Sequence, residues 1–165
     1  MIHPPGGTGW LVWLEGTPLA VAMRQWLWLY PTVEIAHILG FVILVGAAVM
    51  FDLRLLGVSR SLPVTDMARH HLRWARLALL LVVPSGLSMF AAHATEMSAN
   101  PAFQVKLALI AVAGLNAAVF HRGVFRSVAR WDRQVRVPAP ARLAAVLSLL
   151  CWAGVIACGR LLAYL

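Results

Sequence analysis

The chain has 165 residues, of which 61% are hydrophobic and only 12% charged, with a mean hydropathy of +0.80. These values exclude an ordinary water-soluble domain, which could not hide so much apolar surface. The formal charge of +8 comes from 14 Lys and Arg against 6 Asp and Glu. It does not point to nucleic acid, because the basic residues bracket apolar runs and serve no separate polar domain; topology and anionic lipid headgroups account for it.

Residues 1 to 9 lack a basic n-region, so no signal peptide is expected and the first span is retained. The stretch from about 17 to 29 has Pro18 where a first helical turn tolerates it, and Arg24 and Gln25 interrupt its apolar residues. It is too polar for a span. With Trp10, Trp13, Trp26, Trp28 and Tyr30 close by, it reads as an interfacial amphipathic helix anchored at headgroup level.

Four runs then reach the roughly 20 apolar residues that a bilayer core of about 30 Å requires. They cover about 31–51, 74–92, 103–120 and 143–162, and predict an all-α, polytopic four-helix membrane bundle forming a single domain. Pro84-Ser85-Gly86 should kink or loosen the second span. Asn100-Pro101 starts the third, which carries Asn116, and the fourth holds Cys151 and Cys158 on one face. The cysteines lie about 10 Å apart along that helix, too far for a disulfide, and read as packing residues.

Orientation follows from arginine. One connection holds Arg54, Arg60, Arg69, Arg73 and Arg76, and another Arg122, Arg126, Arg130, Arg133, Arg136 and Arg142, leaving only Arg24, Lys106 and Arg160 elsewhere. The positive-inside rule makes both loops cytoplasmic and both termini external. Asp52 and Arg54 are expected to close the first span at the headgroups, and Lys106 to snorkel outward.

Glu34 and His37 are ionisable groups one helical turn apart inside the first span. Such groups are costly in a membrane and therefore point to function. At about 1.5 Å per residue, His37 lies roughly 6 to 8 Å to the outer side of the span centre, with Glu34 about 5 Å beyond. His93 lies about 13 Å from the middle of the second span, near the level of Glu34. On the inner side, His121 ends the third span and His70-His71 precede the second.

Histidines on neighbouring helices suit axial coordination of a b-type haem. The favoured pair is His37 with His93 in the outer leaflet, and the second pair is His121 with His71 in the inner. His71 and His93 are about 33 Å apart along one helix, a separation that slows electron transfer between two such haems. His70 and His71, among arginines, also read as loop residues at the headgroups.

The alternative is a transition-metal site for zinc, iron, manganese or copper(II), built from Glu34, His37, His93 and Glu96. The third reading is a cofactor-free accessory subunit in which His37 is hydrogen-bonded to Glu34 or Asn116. No nucleophile sits beside a recognisable base, so no catalytic residue is assigned and a redox or accessory role is favoured over a stand-alone enzyme. Expected partners are the lipid bilayer, a quinone or periplasmic redox protein, and further copies or subunits of a membrane complex.

The runs Trp28-Leu29-Tyr30-Pro31-Thr32-Val33-Glu34-Ile35-Ala36-His37-Ile38-Leu39-Gly40 and Asp52-Leu53-Arg54-Leu55-Leu56-Gly57 carry a family resemblance. So do Asn100-Pro101-Ala102-Phe103-Gln104-Val105-Lys106 and Gly114-Leu115-Asn116 through Phe120-His121-Arg122. From about residue 18 to 136 the chain resembles a bacterial family of four-span membrane proteins catalogued as a domain of unknown function. The resemblance implies a four-helix membrane protein without an assigned activity. The Glu-x-x-His of the first span is also loosely similar to the first-helix histidine of copper-resistance and b-type cytochrome membrane proteins.

Overall fold

The computed structural model describes residues 9–133, 136–162 and 164. Apart from Gly9, the segment read as lacking a signal peptide lies outside them. Among the described residues there are seven α-helices: α1 Gly9–Glu15, α2 Pro18–Gln25, α3 Leu29–Leu56, α4 Val64–Ala92, α5 Ala94–Ala99, α6 Pro101–Arg122 and α7 Ala139–Leu161. A 3₁₀ segment, Val124–Arg130, follows α6. No strand occurs among the described residues.

Local chemistry sets several boundaries. Thr17 caps α2 through its hydroxyl and Pro18 occupies the first turn. Asn100 caps α6 by accepting from the amides of Ala102 and Phe103 at 2.9 and 3.4 Å, again with proline at the first position. Gly57 ends α3 in the left-handed region at φ 108°, a conformation that favours glycine. Pro84 lies inside α4, which is continuous through it.

Helices α3, α4, α6 and α7 are long and apolar enough to cross a membrane, with mean hydropathies of 2.2, 1.7, 1.8 and 2.0 in their most apolar windows. Only 11% to 28% of the residues in those windows are buried within the protein. Leu80, Leu115 and Leu150 are each at least 65% exposed, so the bundle turns an apolar exterior outward. That surface fits a multi-pass protein in contact with lipid.

The bundle pairs α3 with α4 and α6 with α7, and α3 also packs on α7. Glycine permits the tightest approach in the first pair: a Cβ on Gly40 would meet Val82 Cγ2 at 2.8 Å. Between α4 and α6, by contrast, the described backbones do not pack. The four long helices therefore run in the order α4, α3, α7, α6; the outer two meet through Phe90 stacked on Phe103, with ring centroids 5.5 Å apart, and are apart nearer the arginine-rich end.

At the arginine-rich end the connections are packed. Phe51, Leu55, Val64, Met67, Phe120, Trp131, Val137 and Ala141 are among the residues of one buried cluster. Asp132 joins the 3₁₀ region to α4: its carboxylate accepts from Thr65 N at 2.8 Å and from Thr65 Oγ1 at 3.0 Å. This caps a helix start that was expected ten residues later, at Trp74. Arg54 is also buried, contrary to the expected headgroup role. Its Nε donates to Leu62 O at 2.7 Å, and its Nη2 donates to the carbonyls of Arg60 and Asp132 at 3.3 and 3.2 Å.

The opposite end carries four of the seven tryptophans. Trp10, Trp13, Trp26 and Trp28 are all exposed, as interfacial anchors require. Helix α1 was not foreseen. Glu15 at its end accepts from Thr95 N and Oγ1 at 2.8 and 2.7 Å, which ties α1 to α5 and holds its carboxyl below the usual range. Arg24 donates to Ala92 O and Glu15 O, clasping the same junction.

Candidate functional site

His37 projects from α3 onto α4, where its Nδ1 lies 2.9 Å from Ser85 Oγ and 3.2 Å from Val82 O. Ser85 donates its own proton to Leu81 O at 2.6 Å, so its oxygen accepts from His37. The proton is thus on Nδ1 and the lone pair on Nε2. Gly86 makes room for the ring, since a Cβ there would lie 3.0 Å from His37 Cε1. The expected partners differ: Glu34 is exposed, and Asn116 donates to Ala144 O at 2.9 Å, joining α6 to α7.

His93 terminates α4 and packs edge-on against Tyr30, with ring centroids 5.8 Å apart. Its Nδ1 is 3.8 Å from Glu96 Oε2, an exposed carboxylate. Ser85, which anchors His37, precedes His93 by eight residues of one helix, a rise of about 12 Å. The His37 and His93 imidazoles are thus engaged at different levels. Among the described residues, no group of three or more His, Cys, Asp or Glu side chains could hold a metal ion. Glu34, His37, His93 and Glu96 do not converge into one.

The other histidine pair has a different setting. The gap between α4 and α6 holds a cavity of about 310 Å³, within the ~300–1,000 Å³ typical of ligand pockets. Its walls are largely apolar, with Leu44, Leu79, Ile110 and Trp152 among them. His71 enters from α4 and His121 from α6.

Each imidazole is oriented by its own helix. His71 Nδ1 lies 2.9 Å from Met67 O, and His121 Nδ1 lies 2.8 Å from Ala117 O. A carbonyl only accepts, so both Nδ1 atoms carry the proton and both Nε2 atoms keep a lone pair. The His121 ring is stacked on Phe51 at 6.4 Å and flanked by Phe120 and Phe125, each with its centroid 5.2 Å away. Its Nε2 is buried without a hydrogen-bond partner.

Asp52 contributes a second unsatisfied group. It lines the same cavity at 6% exposure, and its Oδ2 has no hydrogen-bond partner. It does not pair with Arg54, two residues on, whose guanidinium faces the loops. Buried polar atoms left unpaired cost about 1–3 kcal/mol each, so two of them beside one cavity mark it as a place for a polar or coordinating ligand. Sequence reasoning had not singled out Asp52 for a site. The available signal was a carboxylate at the end of an apolar run with no basic residue at i+3 or i+4.

Cys151 and Cys158 are buried and unbridged, in keeping with packing. No curated protein and no solved structure matches the chain. The model of DUF6644, a family of unknown function, matches residues 10–165, in agreement with the resemblance carried by the Glu34–His37 and Asn100–Lys106 segments. The chain belongs to this family.

Proposed function

We propose that the protein is a membrane electron-transfer or anchor subunit that binds one b-type haem, with His71 and His121 as axial ligands. The observation that carries this reading is the shared cavity. Two histidines face it from helices whose described backbones do not pack, and each commits Nδ1–H to a carbonyl four residues earlier. An imidazole that coordinates through Nε2 commonly donates its Nδ1 proton to a backbone carbonyl, which fixes the tautomer and the ring orientation. Haem, when bound, supplies one-electron chemistry.

The chain's own residues do the rest. Phe51, Phe120 and Phe125 hold the His121 ring in orientation, and the aliphatic walls exclude water. Arg76 lines the cavity from α4 and is suited to a carboxylate side group, while Asp52 supplies a buried carboxyl to the same cavity. By the distribution of arginine the cavity lies toward the cytoplasmic leaflet of a bacterial inner membrane.

His37 and His93, the pair favoured from sequence, are engaged separately, His37 by Ser85 and Val82 and His93 by Tyr30. The metal reading has less support still, because its four residues do not gather. The test is an absorption spectrum of the purified protein after dithionite reduction. Sharp visible bands lost in His71→Ala and His121→Ala, and retained in His37→Ala and His93→Ala, support the assignment. A colourless protein purified from haem-replete cells, or bands that survive loss of both His71 and His121, refutes it.

A further inference from the structure

Four arginines line a separate cavity of about 120 Å³ at the same end of the bundle. Arg54 and Arg60 come from the end of α3 and the turn after it, Arg136 from the segment before α7, and Arg142 from the first turn of α7. No carboxylate lines this cavity among the described residues. We propose that it is a binding site for a phosphate group, presented by an anionic phospholipid headgroup or by free phosphate.

Like charges gathered on one small cavity repel, and at an effective dielectric constant of about 20 each pair at several ångströms costs on the order of kilocalories. Arg54 cannot relieve this by turning to water. It is only 2% exposed and is held by the carbonyls of Leu62, Arg60 and Asp132 through Nε and Nη2. Nη1 makes no hydrogen bond among the described residues and supplies two N–H groups for a ligand.

Arg142 adds an independent conflict. A cation in the first turn of a helix opposes the macrodipole, and α7 has no acidic residue there to offset it. An anion resolves both conflicts, since it pairs with the guanidiniums and complements the N-terminus of a 23-residue helix. On the remaining wall, Arg60 Nε donates to Gly57 O at 3.2 Å, which fixes that guanidinium over the α3 terminus.

Size restricts the ligand. The cavity of about 120 Å³ has room for one phosphate group. Its location, where α3 ends and α7 begins, is the boundary at which lipid phosphates reside, and basic pockets at such boundaries bind anionic headgroups.

The test measures thermal stability of the purified protein in neutral detergent with phosphatidylglycerol, phosphatidylcholine or inorganic phosphate added separately. Arg136 and Arg142 are exposed, so Arg136→Gln/Arg142→Gln leaves the buried cluster intact. Stabilisation by phosphatidylglycerol but not phosphatidylcholine, with apparent affinity reduced at least tenfold in the double variant, assigns a lipid phosphate. The same dependence with inorganic phosphate assigns a free anion. Stabilisation by neither, or a shift unchanged in the double variant, overturns the proposal. Detergent circular dichroism matching the parent protein establishes that the variant is folded.

Discussion

Arg54→Met should destabilise the arginine-rich end by about 3–5 kcal/mol, which is what its carbonyl hydrogen bonds contribute once the relieved repulsion from Arg60, Arg136 and Arg142 is subtracted. Hydrogen bonds to a charged donor contribute roughly 1.5–3 kcal/mol each. Three such bonds give about 5–9 kcal/mol as an upper bound. Only the bond to Leu62 O, at 2.7 Å, is short; those to Asp132 O and Arg60 O are 3.2 and 3.3 Å and belong to loops that can relax toward water. That reduces the expectation to the lower range. Arg54→Lys should recover little, because one ammonium cannot reach carbonyls from three residues with the fixed fork of a guanidinium. Unfolding would be followed in neutral detergent without phosphate or anionic lipid, by denaturant titration of Trp131 fluorescence in a background lacking the other tryptophans. A loss below about 1 kcal/mol in Arg54→Met, or full recovery in Arg54→Lys, refutes the account of how this end is held.

Gly86→Ala brings a methyl group to 3.0 Å from His37 Cε1 and should cost about 1–3 kcal/mol, seen as a lower melting temperature, with haem content unchanged. Glu15 has its folded pKa depressed by the two Thr95 bonds. Its contribution is therefore present above the unfolded carboxylate value and lost as pH falls through the depressed one. Hydrogen exchange at the Thr95 amide should show protection weakening below about pH 4.3 relative to Glu15→Gln, after correction for intrinsic rates. Equal protection in the two proteins at neutral pH contradicts the clasp. Asp52→Asn removes a buried negative charge beside the proposed haem and should raise its midpoint potential in a redox titration at pH 8; an unchanged or lower potential disproves this role.

The four long helices were legible because each needs about 20 apolar residues and the chain has four such runs. The caps at Thr17 and Asn100 were equally local, each next to a proline. What escaped detection depends on distant contacts. The start of α4 is capped by Asp132, 67 residues away in sequence, so the segment bearing His70 and His71 read as a loop when it is helical. That error lowered His71 in rank, because its position was judged from neighbouring arginines and not from the face of α4 that it occupies.

In the accessory-subunit reading His37 was expected to bond Glu34 or Asn116; its neighbours are Ser85 and Val82 instead. Pro84-Ser85-Gly86 reads as a helix-loosening signal, whereas the serine accepts the His37 proton and the glycine makes room for its ring. The arginines were read as topology and as contacts to anionic headgroups. The fold adds that Arg54 is internal and that Arg60, Arg136 and Arg142 share a cavity with it, although α3 and α7 are separated by more than 80 residues.

The central claim is that His71 and His121 share one haem. Its most direct test is titration of haem-free protein, in detergent, with ferric haem, followed by Soret absorption and low-temperature electron paramagnetic resonance. One equivalent should give a low-spin, six-coordinate spectrum in the parent protein and in His37→Ala/His93→Ala, and none in His71→Ala/His121→Ala. A low-spin spectrum that persists without His71 and His121, or that is lost with His37 and His93, contradicts it.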